Sequence, residues 1–307
     1  MTKRTLGVIG ARGHVGRELL TLVERHGALD LRLSVSQRDG KSPSDVAAEK
    51  LDAYVLALPN GASAPFALAI TAARPDAVIV DLSADHRFDP AWIYGQPERK
   101  RAALAGARHI ANPGCYATAM QLALAPLVPL VEGPANVFGV SGYSGAGTTP
   151  SPKNDPEALR DNIMPYALIG HVHEREVAAQ LGLRLFFVPH VAPFFRGLTV
   201  TVSVALTRPS TKSDLAARYR DAYGKEPLVH FQDDIPLVRD IVGRHDVVIG
   251  GLTVSDDGRH AVVVATIDNL LGGAASQALR SLNLALGFPE NQGLGTVGSE
   301  GAEPHAR

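Results

Sequence analysis

Short β-branched or apolar runs alternate with helical patterns through the first third of the chain: Thr5–Ile9, Val15–Arg25, Leu31–Ser36, Tyr54–Leu58, Ala64–Arg74 and Ala77–Leu82. This alternation predicts βαβ units and a parallel sheet. The runs YVLALP and VIVDLS are nearly all apolar, as strands covered on both faces must be, so the sheet is expected to be doubly wound. After about residue 135 the pattern changes to longer alternating strands in NVFGVSGYSG, LRLFFVPHV, GLTVTVSVAL, VVIGGLTVS and HAVVVATIDNL, with a helix near Ser213–Ala222. These predict a second, α+β domain with a mostly antiparallel sheet. A last helix, about Ala274–Leu286, has apolar residues at helical spacing and is expected to return to the first unit. The expected division is residues 1–113 with 272–307 in one domain and 114–271 in the other. The stretch after Pro289 is rich in Gly and polar residues without periodicity and is expected to be a frayed tail.

Composition narrows the function classes. A chain of 307 residues with 45% hydrophobic and 20% charged residues is long enough for two packed domains and too apolar for disorder. A net charge of -1 supplies no general attraction for nucleic acid or an anionic membrane, so neither is expected as a partner. No apolar run reaches the roughly 18 residues of a membrane span. The single cysteine excludes an internal disulfide, and the first predicted strand begins too early to leave room for a signal peptide. The expectation is a reducing, cytoplasmic setting.

Gly10-Ala11-Arg12-Gly13-His14-Val15-Gly16 follows the first strand and opens a helix. Glycines there let the backbone turn tightly and approach a pyrophosphate, which would sit on the amides of the helix N-terminus. The spacing is GxxGxxG rather than GxGxxG, and the strand–turn–helix context makes this a Rossmann-type dinucleotide site. At the end of the second strand, Ser36, Arg38 and Lys41 offer a hydroxyl and two cations. They suit a ribose 2′-phosphate, hence NADP(H), although the neighbouring Asp39 is the residue type that receives a free 2′-hydroxyl.

Cys115 in NPGCYAT opens another apolar helical pattern. A lone cysteine is commonly a small buried hydrophobe. At the first turn of a helix, however, the dipole and free amides favour the nucleophilic thiolate, and the same amides can receive an oxyanion. GHVHERE supplies His171, His173, Glu174 and Glu176; an acid–base histidine oriented by Glu176 is the sharper reading. No further ligands cluster beside the two histidines, so no metal is expected. Spacing does not decide which histidine acts. Arg87 in DLSADHRF and Arg196 in PHVAPFFRG have the fork that suits phosphate or carboxylate.

Taken in order, GARGHVGRELL, LALPNGAS, DLSADHRF, NPGCYATA, SGYSGAG, GHVHEREV, PHVAPFFRG and IDNLLGGAASQALRSLN resemble the N-acetyl-gamma-glutamyl-phosphate reductases, relatives of aspartate-semialdehyde dehydrogenase in arginine biosynthesis. The resemblance runs to about Phe288. It implies an NADPH-dependent, aldehyde-forming oxidoreductase that takes a small acyl phosphate and works as a homo-oligomer, a dimer or tetramer. It further implies Cys115 as nucleophile through a thioester, His171 as first choice for acid–base work with Glu176 as its orienter, and Arg87, Asn112, His173 and Arg196 around the substrate. Pro59, Ser144, Gly145 and Asn269 would meet the cofactor, Asn269 on its nicotinamide side. The chain departs from the family pattern at Val172, Glu174 and Arg175, at Thr148, where arginine often follows SGAG, and in LLGG. Another N-acylated or carrier-linked glutamyl phosphate, aspartyl phosphate, or a non-catalytic NADP-binding regulator are the alternatives.

Overall fold

The computed structural model describes residues 3–295. Six strands, β1 (Arg4–Ile9), β2 (Leu29–Val35), β3 (Ala53–Leu56), β4 (Val78–Asp81), β5 (Ile93–Tyr94) and β6 (His109–Ala111), form one sheet in the order β2-β1-β3-β4-β6-β5. All neighbours are parallel. The connections carry α1 (His14–His26), α2 (Pro43–Ala48), α3 (Ala64–Ala73) and α4 (Pro97–Leu104). Two separate apolar clusters, one containing Leu6, Val8 and Leu19 and the other Ile9, Leu33 and Tyr54, cover the sheet as a doubly wound arrangement requires. Strand order reverses between β1 and β3, and ligands of such sheets bind at this switch point beyond the strands' carboxyl ends.

From α5 (Cys115–Leu124) onward the chain builds the second unit. It contains β7 (Val131–Gly142), α6 (Pro156–Leu159), β8 (Met164–Pro165), α7 (Val172–Leu181), β9 (Leu185–Ala192), β10 (Leu198–Leu206) and α8 (Lys212–Tyr223). It ends with β11 (Val229–Phe231), α9 (Val238–Ile241), β12 (Val247–Val254) and β13 (His260–Ile267). The sheet order is β11-β12-β13-β10-β7-β9-β8. Most neighbours are antiparallel, as expected, but β7 pairs with β9 and β11 with β12 in parallel. The β7–β9 pair is possible because α7 lies in the long connection between them. One face of this sheet, with Val137, Phe187, Val200 and Val263, packs under α5, α7 and α8. Tyr219 and Tyr223 of α8 donate to the Ala123 and Leu122 carbonyls of α5, which locks the helix that carries the thiol.

After β13 a wide helical turn, Leu271–Ala275, leads into α10 (Ser276–Leu286), which packs against α1, α4 and β4 of the first unit. The expectation of a tail frayed from Pro289 is corrected over its first part. Glu290 pairs with Arg101 and Arg280, Asn283 Nδ2 donates to the carbonyls of Glu290 and Gln292, and Leu294 is buried with the first sheet's core. Buried ion pairing and backbone capping hold a segment whose composition alone suggested none. Residues 296–307 of the expected tail lie outside the described residues.

Candidate active site

β6 ends at Ala111 beside the switch point, and the turn Asn112–Gly114 aims α5 into the cleft with Cys115 as its first residue. Two glycines make room in the site, Gly114 for the His173 ring and Gly273 for Cys115. A Cβ on Gly114 would stand 2.0 Å from His173 Nε2, and one on Gly273 would stand 2.6 Å from Cys115 Cβ. Cys115 keeps part of its surface open. Burial pushes its thiol up to about 11, against the pull of the Tyr116 amide, the Arg87 charge and its own amide. The expected lowering by the helix N-terminus is therefore outweighed: the amides are present, but desolvation of the anion costs more than they return. In this state the thiol is protonated and needs a base.

His171 caps α7, its Nδ1 accepting from the His173 amide at 3.1 Å. That bond leaves the neutral ring with its proton on Nε2. Burial, with help from Lys153 and Arg87, lowers His171 to about 4; burial, Arg87 and His171 hold His173 well below its ordinary range. Both rings are neutral near pH 7. They lie 4.7 Å apart between centroids, with Tyr166 and Phe187 edge-on to His171 and Tyr116 tilted against His173. His173 Nδ1 is buried without a hydrogen-bond partner.

Glu176 does not orient a histidine. Its Oε1 accepts from Tyr94 Oη at 2.6 Å and the Gly114 amide at 2.9 Å, and its Oε2 accepts from Arg87 Nη1 at 3.0 Å. One turn after His173, the carboxylate points across the domain junction and anchors the turn before Cys115 instead. Arg87 also departs from the expected role. Its guanidinium donates to the carbonyls of Asn112 and Leu82 as well as to Glu176, so it ties the turn down and contributes a buried positive charge near the thiol rather than a free anion fork. Arg196 is likewise committed, bridging Glu18 of α1 at 2.8 Å and Asp268 at 3.0 Å, a clasp between the two units. Asn112 is buried with Oδ1 unpartnered at the cleft turn, which suits the substrate contact expected of it.

Asn269 is spent on structure: its Nδ2 donates to Ser144 Oγ at 2.9 Å and its Oδ1 accepts from the Gly197 amide at 2.7 Å. Its side chain thus fixes the Ser144–Gly145 turn against the Gly197 backbone. Gly145 and Pro59 stay exposed. The dinucleotide loop fits its ligand. Gly10 has φ +91°, and a Cβ there would lie 2.0 Å from the Ala57 carbonyl oxygen; one on Gly16 would lie 2.4 Å from the Gly10 carbonyl oxygen. Gly13 caps α1 without any side-chain bond, leaving the amides of His14, Val15 and Gly16 for an anion. Ala11 is buried beneath the loop, while Arg12 pairs with Asp39 at 3.3 Å. Asp39 also accepts from the Ser36 amide and hydroxyl, so its charge is already engaged. Arg38 is exposed and makes no ion pair among the described residues.

Two family models match this chain: residues 5–107 fit the semialdehyde dehydrogenase NAD binding domain, and residues 115–269 the semialdehyde dehydrogenase dimerisation domain. The N-acetyl-gamma-glutamyl-phosphate reductase of Stenotrophomonas maltophilia is 54% identical over 305 residues, spanning 93% of this chain and 96% of the relative. The chain belongs to the N-acetyl-gamma-glutamyl-phosphate reductase family. A reductase of the same name from Xylella fastidiosa is 50% identical over 93% of each chain. Aspartate semialdehyde dehydrogenase II of Vibrio cholerae shares the fold, with a TM-score of 0.76 at 19% identity over 93% of this chain and 99% of that one. The reductase family's NAD(P)-binding unit and its dimerisation unit meet at Cys115, the first residue of the second match. Tyr94, Tyr166, Lys153 and Gly273 stand beside these residues without a motif in the sequence that marks them. Only the glycine lies in one of the family-like segments, IDNLLGGAASQALRSLN, and no spacing signals the others.

Proposed function

We propose that this chain reduces N-acetyl-glutamyl 5-phosphate to the corresponding semialdehyde with NADPH, and that Cys115 is the nucleophile. The observation that carries the reading is the thiol at the open end of α5, beside two neutral histidines, where the nucleotide-binding unit meets the dimerisation unit. Cys115 Sγ attacks the acyl carbonyl, the carbon–oxygen bond to phosphate breaks, and a thioester forms. The thiol proton passes to a histidine as the sulfur attacks; thiolate and imidazolium formed together stabilise each other, so neither charge stands alone in the buried site. Nε2–H of His171 is a donor for the substrate oxygen, which leaves His173 to receive the thiol proton. The loop Gly10–Gly16 would hold NADPH, which when bound would supply hydride to the thioester carbon. The α5 amides support the oxyanion, and collapse of the thiohemiacetal releases aldehyde and returns the thiol.

Membership in this family supports the substrate, and the engaged Asp39 beside free Arg38 supports NADPH over NADH. The same proposal includes a homo-oligomer built through the second sheet, and a reducing cytoplasm in which a single catalytic thiol survives. Among the described residues no helix is long and apolar enough to cross a membrane. The test follows NADPH absorbance with N-acetyl-glutamyl phosphate in wild type and Cys115→Ser. Loss of turnover by about a thousandfold or more is expected for the variant. Near-normal turnover would remove the cysteine from the mechanism, and faster oxidation of NADH than of NADPH would overturn the cofactor assignment.

A further inference from the structure

We propose that Lys153 holds the phosphate of the acyl phosphate as it leaves, a role that rests on the substrate reading above. The departing dianion requires a cation close to the attacked carbonyl. Both arginines expected to serve are committed elsewhere: Arg87 to Glu176 and two carbonyls, Arg196 to Glu18 and Asp268. Thr148, where the family pattern has arginine, brings no charge.

Lys153 stands on the short helical turn Pro152–Asn154 that follows the SGAG loop. Asn154 pins this turn: its Oδ1 accepts from the Ser151 amide at 2.8 Å, and its Nδ2 donates to the carbonyls of Gly147 and Thr149 at 2.9 and 2.8 Å. The lysine Nζ lies 4.9 Å from the centre of the Tyr166 ring, and that ring packs edge-on to His171. Its charge is felt at His171, and the contacts run from Lys153 over Tyr166 to His171 and on to His173. Among the described residues Lys153 makes neither an ion pair nor a side-chain hydrogen bond. It is a point charge held over an aromatic face until an anion arrives, and such a charge suits a phosphate that must bind and then leave.

The reverse reaction separates the substrate's anionic parts, because aldehyde and inorganic phosphate are then added independently. Lys153→Met is expected to raise KM for inorganic phosphate about tenfold or more, with KM for the aldehyde nearly unchanged, and Lys153→Arg to restore most of the loss. A raised KM for aldehyde with that for phosphate unchanged would assign Lys153 to the substrate carboxylate and overturn the proposal. So would a fall in kcat alone, the signature of a structural role. A readout free of the substrate assignment is protection of Cys115 from iodoacetamide by inorganic phosphate: wild type should be protected and Lys153→Met much less. Equal protection in both proteins overturns the role of Lys153, whereas failure of the wild type to use N-acetyl-glutamyl phosphate strikes only the substrate reading.

Discussion

Glu176, fully buried, holds together three pieces of chain: the Arg87 turn, the Tyr94 strand and the Gly114 amide beside Cys115. Removing only its charge isolates a guanidinium with a 6% exposed side chain. Glu176→Gln is therefore expected to cost about 3 kcal/mol or more in denaturant unfolding, since a broken buried pair leaves its partner uncompensated. The same change should speed iodoacetamide labelling of the folded protein, because the Glu176 charge helps to raise the Cys115 thiol. Slower turnover with faster labelling separates this anchoring role from that of a base; unchanged labelling would refute it. The histidines set a pH limit. Unfolded, His171 protonates near 6.5; folded, burial lowers it to about 4, and His173 is lowered too. Between those values the unfolded chain binds more protons, so stability is full above about pH 6.5 and falls as pH drops toward 4. The midpoint of urea unfolding should fall over that window, and fall less steeply in His171→Asn. Chemistry-bearing residue types were legible in the sequence. Their partners were not: whether Glu176 meets a histidine or an arginine depends on side chains 82 and 89 positions away.

At the scale of elements, local pattern did best where one physical constraint dominates. The loop from Gly10 to Gly16 is such a place: φ +91° at Gly10 and its approach to the Ala57 carbonyl exclude any side chain. Gly10→Ala is expected to weaken NADPH binding at least about tenfold, measured by fluorescence titration, and to lower the unfolding midpoint, as strained backbone costs on the order of 1–3 kcal/mol. Retained affinity would mean that the loop does not set the cofactor's approach. Likewise α1 and α8 run within one residue or so of their expected limits, α1 between Gly13 and Gly27 and α8 behind the Thr211–Asp214 capping box. The segment after α10 shows the opposite case. Its Gly-rich composition carried no periodicity, yet Arg101 and Arg280 hold Glu290, and Asn283 secures the backbone around it. Attachment by long-range charge and backbone capping leaves no repeating signal to read.

For the whole molecule, alternation along the second sheet foretold its strands but not what covers them. One face is closed by α5, α7 and α8, whereas the other carries Phe138 and Phe186 at 47% and 46% exposure. Between them the register aligns Phe138 with Val188 on β9 and Thr201 on β10, and Thr201 with Val264 on β13, so an apolar and hydroxyl strip crosses four central strands. A bare strip on the central strands of a sheet is what a second copy would bury, and these residues fall within the part of the chain that matches a dimerisation domain. Isologous packing brings each phenylalanine near its counterpart strip across a twofold axis, so every substitution acts twice. Phe138→Asp with Phe186→Asp places four carboxylates in such an interface and is expected to convert the oligomer to monomer in sedimentation equilibrium, with little change in far-ultraviolet circular dichroism, because neither side chain enters the core. A double variant that keeps the wild-type mass would place the subunit contact elsewhere. The thiol site should respond more weakly: Cys115 stands on α5, on the opposite side of the sheet from Phe138, so any loss of activity in the monomer would have to pass through β7 and β9 to α7 and its two histidines.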